Sequence, residues 1–125
     1  MTETDLALIV EDDEDLSFIF AEALRAAGFQ PEIVRDGQLA MDRLAQVRPS
    51  VVVLDLHLPN VAGTDILKYI RSTEHLKGVR VLVTTADARL AEQTDKHADF
   101  VLIKPISFSL LRDITSRLVK NPNTP

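Results

Sequence analysis

The chain of 125 residues contains no cysteine. That excludes a disulfide scaffold, a thiolate metal site and a cysteine nucleophile. Long apolar runs are missing too. Stretches such as Val51–Leu54 cover a few residues, whereas a membrane helix needs about 20. The start, Met1–Asp5, is acidic and lacks a basic stretch followed by an apolar one, so no secretory signal is visible and a cytoplasmic protein is the expectation. Histidines stand only at positions 57, 75 and 97, with no spacing that suggests a metal cluster. No linker, repeat or low-complexity segment divides the chain, and its length suits one compact domain.

Basic residues are scarce where they would matter for nucleic acid. Residues 1–62 hold twelve acids against four bases, and residues 63–125 hold seven against ten. Without a basic stripe, phosphate neutralisation has no footing, so direct nucleic-acid binding is not expected. What the first half does have is Glu11-Asp12-Asp13-Glu14-Asp15, five consecutive acids.

The remaining composition, 46% hydrophobic and 26% charged, is that of an ordinary globular domain with a core to bury. Leu6–Val10 reads as a buried strand that stops at the acidic run. Leu16, Ile19, Phe20, Ala23, Leu24 and Ala27 recur at helical spacing, with Gly28 as the C-cap. A weaker strand lies within Phe29–Arg35. Leu39, Met41, Leu44, Ala45 and Val47 form a stripe that Pro49 terminates. Val51–Leu54 is β-branched and continuous, as expected of a central parallel strand covered on both faces. After a turn from Pro59 to Gly63, Ile66, Leu67, Tyr69 and Ile70 mark a helix ending near Gly78. Val79–Val83 is a fourth strand. Ala88–His97 is polar and weakly periodic, so the fourth helix is expected to be short or irregular. Phe100–Ile103 is a fifth strand, and Ser107 caps a last helix with Leu110, Leu111, Ile114, Leu118 and Val119 as apolar positions. Residues 121–125 are expected to be a disordered tail. Five strand–helix units in alternation imply a parallel sheet between two layers of helices.

Ligands of an open parallel sheet bind beyond the carboxyl ends of its strands. Glu11 and Asp12 follow the first strand, Asp55 the third, Thr84 and Thr85 the fourth, and Lys104 the fifth. Each alone has a bland reading. Acids before a helix favour its macrodipole, an Asp after a strand is usually a turn residue, and Thr has β propensity. Together they put carboxylates, a hydroxyl and one ammonium on a single edge, an anionic metal pocket with a compensating cation.

These positions resemble the receiver domain of two-component response regulators, of the chemotaxis-regulator kind. The resemblance rests on Leu8-Ile9-Val10-Glu11-Asp12-Asp13, on Val52-Val53-Leu54-Asp55-Leu56-His57-Leu58-Pro59 with Gly63, on Val83-Thr84-Thr85-Ala86 and on Lys104-Pro105. It covers residues 6–120, and receiver domain 1–120 is the domain expected. It implies an α/β fold of the flavodoxin-like, three-layer (βα)5 type, a doubly wound five-stranded parallel sheet in the order 2-1-3-4-5. It implies Asp55 as phosphoacceptor and Mg²⁺ as cofactor, held by Asp12 and Asp55, by Glu11 through water, and by the backbone carbonyl of His57. Lys104 would pair with Asp55 at rest and with the phosphoryl group after transfer, and Thr85, the hydroxyl before Ala86, would bond another phosphoryl oxygen. Val10 sets the register that selects Glu11 and Asp12, leaving Asp13 an accessory acid and Glu14 and Asp15 to open the helix. A cis Lys104–Pro105 bond is expected. The implied donor is a phosphohistidine on a sensor histidine kinase or histidine phosphotransfer protein, and the output is contact with a downstream protein of unknown identity. His57 and Asp87 are expected to tune the lifetime of the phosphate.

Two departures stand out. Receivers commonly carry an aromatic three residues before the lysine; here that residue is Val101. Phe100 cannot replace it, because neighbouring strand residues face opposite ways. The segment from Thr85 to Lys104 is also short, so the output surface is expected to be atypical, or the partner to engage elsewhere, for example along the first helix. Two other readings compete. An aspartate-nucleophile phosphohydrolase of the haloacid dehalogenase type needs a second Asp two residues after the nucleophile, where this chain has His57, and a cap domain for which there is no room. A degenerate receiver serving as a scaffold has no need of Asp12, Asp55, Thr85 and Lys104 together. The expectation is therefore a signalling domain and not an enzyme, with no separate DNA-binding or catalytic domain in these residues.

Overall fold

A computed structural model describes residues 5–120. The core is a five-stranded sheet of β1 (Leu6–Val10), β2 (Gln30–Val34), β3 (Val51–Asp55), β4 (Arg80–Thr85) and β5 (Phe100–Ile103). Every pairing is parallel and the order is β2-β1-β3-β4-β5, the order expected. The helices are α1 (Glu14–Ala26), α2 (Gly37–Leu44), α3 (Gly63–Ser72), α4 (Ala88–Thr94) and α5 (Phe108–Lys120).

Strand alternation divides the core into two layers. Leu8, Val10, Val52, Leu54, Val81 and Val83 pack with Leu44 of α2 and Ile66 and Ile70 of α3. Ala7, Ile9, Val51, Val53 and Leu82 face the other way, against Phe20 and Leu24 of α1 and Leu111 of α5. β3 is buried throughout, which explains why its sequence shows no alternation.

Helix ends follow their local chemistry. Gly28 takes φ +102°, and the amides of Gly28 and Phe29 donate to the carbonyls of Arg25 (3.0 Å) and Leu24 (3.0 Å), the paired bonds of a Schellman terminus. Ser107 Oγ accepts from the Leu110 amide at 3.0 Å, capping α5 as expected. α4 is the short helix expected, at 7 residues. Its N-cap is Asp87, whose Oδ1 accepts from the amides of Arg89 (2.9 Å) and Leu90 (3.2 Å).

Several local expectations need correction. Asp13 is the N-cap of α1, with Oδ1 accepting from the Leu16 amide at 2.9 Å, and is no mere accessory acid. α2 ends at Leu44, capped by Ala45, so Val47 lies outside it and Pro49 does not terminate it. β4 extends through Thr85, which places both threonines inside the strand. Ile19, Leu39 and Leu110 are exposed: each helix presents only one arc to the sheet, and in α1 that arc includes Ser17 with Phe20, Ala21 and Leu24. Phe100 is exposed while Val101 packs on the α2–α4 side, the opposition expected of neighbouring strand residues. The expected tail, 121–125, lies outside the described residues.

Candidate functional site

The carboxyl ends of β1, β3, β4 and β5 meet at one edge of the sheet. Glu11 stands two residues after Ile9, Asp55 two after Val53 and Lys104 two after Leu102, and those three apolar residues pack on the α1–α5 side. Carboxylate oxygens of Glu11, Asp12 and Asp55 lie within 4.8 Å of one another. Glu11 and Asp55 are buried and Asp12 is exposed, so the cluster has an enclosed floor and an open mouth. Such a set of hard oxygen donors, with room for water on the open side, fits a small divalent cation such as Mg²⁺.

Lys104 is the cation of the site. Its Nζ donates to Glu11 Oε1 at 3.0 Å and stands 3.6 Å from Asp55 Oδ2. The expected resting pair of Lys104 with Asp55 is present as the ion pair at 3.6 Å, and the lysine makes a shorter hydrogen bond to Glu11 beside it. Glu11 is pushed up to about 7 in all: burial is the largest cause, the Lys104 bond and the Asp13 amide, which donates to Oε2 at 3.1 Å, oppose the rise, and the charge of Asp55 adds to it. Burial disfavours the charged form of Lys104, but its bond to Glu11 and the two carboxylate charges outweigh that and raise its pKa, so it stays protonated.

Asp55 is aimed by the backbone that follows it. Oδ1 accepts from the His57 amide at 3.1 Å, and the Leu56 amide donates to the Thr84 carbonyl at 3.2 Å. The chain then turns into α3 at Gly63. A Cβ there would lie 2.5 Å from Leu56 Cα and closer still to the Asp55 carbonyl, so only glycine lets α3 begin this near the site. The His57 side chain is exposed at the rim. Thr85 Oγ1 accepts from the Asp87 amide at 3.0 Å, and the Thr85 carbonyl accepts from the Lys104 amide at 2.8 Å. The Lys104–Pro105 bond is cis, as expected.

The site is braced by residues that sequence reasoning passed over. Asp36 caps α2 through Oδ1 (2.7 Å to the Gln38 amide, 3.1 Å to the Leu39 amide), while its Oδ2 accepts from the Asn60 amide group. Asn60 has φ 72°, and the Gly37 amide donates to the Pro59 carbonyl at 3.1 Å. The loop after Asp55 is thus tied to the start of α2. Nothing in the sequence around Asp36 names Asn60 as its partner.

The chain matches the response regulator receiver domain family over residues 7–116. It belongs to that family. As a receiver domain, it is 34% identical over 118 residues to the probable methanogenesis regulatory protein FilR2 of Methanothrix harundinacea, covering 86% of this chain and 76% of that one. It is 29% identical over 119 residues to the DNA-binding response regulator MtrA of Mycobacterium tuberculosis, covering 94% of this chain but only 52% of MtrA. The receiver thus spans about half the length of the MtrA relatives it matches. Among solved structures, the receiver domain of sensor histidine kinase PA1611 from Pseudomonas aeruginosa superposes with a TM-score of 0.83 at 24% identity, over 95% of this chain and 100% of that one. That structure has a magnesium ion coordinated in its active-site cleft. The receiver reading of the sequence therefore stands, and neither the haloacid dehalogenase alternative nor the degenerate scaffold gains support. No helix among the described residues is long and apolar enough to cross a membrane.

Proposed function

We propose that Asp55 of this receiver domain is the phosphoacceptor, and that residues 1–120 form the unit whose contacts its phosphorylation controls. The observation that carries this reading is the meeting of three carboxylates within 4.8 Å with one lysine ammonium 3.6 Å from Asp55. Asp12 and Asp55 would hold Mg²⁺ through carboxylate oxygens, His57 through its backbone carbonyl and Glu11 through water. Bound there, the ion would neutralise charge on the phosphoryl oxygens.

The protein's own groups do the rest. An Asp55 carboxylate oxygen bonds to phosphorus as the phosphorus–nitrogen bond of a phosphohistidine breaks and its electron pair leaves with the imidazole. The His57 amide holds the Asp55 carboxylate in one rotamer. Lys104 moves from Glu11 towards the phosphoryl group, and the Thr85 hydroxyl turns to another phosphoryl oxygen; these two contacts bias a two-state equilibrium. The donor is a sensor histidine kinase or a histidine phosphotransfer protein, in the cytoplasm. The output is contact with another protein, with no direct nucleic-acid contact by these residues, and the domain assists only its own phosphorylation and dephosphorylation. Exposed Phe18 and Ile19 of α1, with Ile106 and Phe108, line an apolar groove of about 550 Å³, a surface suited to protein contact.

Incubation with acetyl phosphate and Mg²⁺ followed by intact mass measurement tests the reading. A single phosphoryl adduct is expected, lost in Asp55→Asn. Labelling that persists in Asp55→Asn would refute it.

A further inference from the structure

Among the described residues, Thr84 Oγ1 is the one buried side-chain polar atom without a hydrogen-bond partner. Thr84 is fully enclosed, at 0% exposure. Its position gives that orphan a meaning. Leu82 packs on the α1–α5 side and Val83 on the other, so Thr84 returns to the α1–α5 side. Asp55 lies on that side too, and Asp55 and Thr84 are register partners on adjacent strands. On its other flank Thr84 is in register with Leu102, two residues before Lys104. The Lys104 ammonium reaches Glu11 and Asp55, and β4 stands between β5 and β3. The strand that carries Thr84 therefore lies between the root of the lysine and the carboxylates it reaches. The hydroxyl is enclosed, and its residue is in register with Asp55 on the same face of the sheet.

An unpaired hydroxyl at such a place is unfavourable in the resting state, and valine would fill the same space without it. Asp55 Oδ1 is already bonded to the His57 amide, and Oδ2 has Lys104 at 3.6 Å, beyond good hydrogen-bond length. We propose that Thr84 is a positioning residue for phosphoryl transfer: its hydroxyl donates to the Asp55 side-chain oxygen that stays free of phosphorus once Lys104 has moved to the phosphoryl group. This rests on Asp55 being the phosphoacceptor. In the transfer one Asp55 oxygen bonds to phosphorus while the donor's bond to phosphorus breaks, its electron pair leaving with the donor. The other oxygen becomes the carbonyl oxygen of the acyl phosphate, and Lys104 no longer faces it. Beside any Mg²⁺ that Asp55 would hold, Thr84 supplies the donor that replaces Lys104 at this oxygen. The hydroxyl is unpaired at rest and paired during transfer, and both conditions favour the reacting geometry.

The test compares the whole chain with Thr84→Val, Thr84→Ser and Asp55→Asn. Labelling by acetyl phosphate with Mg²⁺ is followed by intact mass, and the melting temperature of each unlabelled protein is measured. Thr84→Val should be labelled roughly fivefold to tenfold more slowly, the rate equivalent of one hydrogen bond. Its melting temperature should be equal to or above that of the parent, since the orphan is gone. Thr84→Ser keeps the hydroxyl and should be labelled at close to the parent rate. Labelling of Thr84→Val within about twofold of the parent, well short of that one-bond effect, overturns the proposal and leaves the Asp55 reading intact. Equal slowing in Thr84→Ser and Thr84→Val also overturns it, because packing alone would then be responsible. A parent chain that takes no label, or labelling that survives in Asp55→Asn, removes the Asp55 reading and this proposal with it.

Discussion

Glu11→Gln isolates the electrostatics of the acidic cluster. Glu11 is almost wholly enclosed, and burial raises its pKa from 4.5 to about 7. A carboxyl whose folded-state pKa lies above its unfolded value holds its proton more tightly in the folded protein. Its contribution to stability is fully present below about pH 4.5 and is lost as pH rises through about 7. At about 1.36 kcal/mol per pKa unit, the rise to about 7 sets a ceiling of roughly 3 kcal/mol. Relaxation around the buried charge offsets part of that, so about 2 kcal/mol is the expected size. Glutamine keeps the shape and an oxygen for Lys104 but carries no charge. In metal-free buffer with chelator, the variant and its parent should be about equally stable near pH 5. At pH 8 the variant should be more stable by about 2 kcal/mol, or about 8 °C in melting temperature for a domain of this size. Urea unfolding at half-unit pH steps measures the difference curve and cancels other titrating groups, including Glu32, whose pKa the Arg43 bond lowers. Mg²⁺ at ten times its dissociation constant should return about 1.4 kcal/mol to the parent at pH 8, and less to the variant. Parallel stability curves from pH 5 to 8 would refute the argument, since a buried carboxylate in this setting cannot be indifferent to its own ionisation.

Two further outcomes follow from the geometry. Gly63→Ala forces a methyl group against the Asp55 carbonyl and Leu56 Cα, overpacking that should cost about 1–3 kcal/mol and lower the melting temperature by about 4–11 °C. It should also slow acetyl phosphate labelling, because relief must come from moving the loop that aims Asp55; a melting temperature within about 2 °C of the parent would contradict the close approach. His57→Ala and Asp87→Ala should each change the decay rate of the aspartyl phosphate, for His57 is exposed at the rim and Asp87 follows Thr85 by two residues. Asp87→Ala also removes the cap of α4, so Asp87→Asn, which keeps a capping oxygen, separates the two roles. Unchanged decay in all three would end the idea that these positions set phosphate lifetime.

Much of the architecture is legible in the chain because it depends on local period and punctuation. Continuous apolar runs at 51–54 and 6–10 announce strands covered on both faces, Gly28 and Ser107 mark helix ends, and the polar stretch after Asp87 announces a short α4. The identity of the acidic pair was equally plain, since Val10 closes β1 and the next two residues must stand at its carboxyl end. These properties follow from neighbours within a few residues, which the sequence displays directly.

Other properties depend on residues far apart in the chain, and only the folded structure decides them. Lys104 reaches Glu11 as well as Asp55 because the carboxyl ends of β1, β3, β4 and β5 meet at one sheet edge, which brings together residues 93 positions apart in the chain. Asp36 and Asn60, 24 residues apart, meet because β2 and β3 flank β1. Thr84 appears in the sequence as one of two adjacent strand hydroxyls. Register and burial make it the one with no partner, beside Asp55. The sequence by itself determined the elements, their alternation and the residue types at the strand ends. The tertiary structure alone decided which of those residues pair, because pairing at the sheet edge depends on strand order, register and enclosure from water.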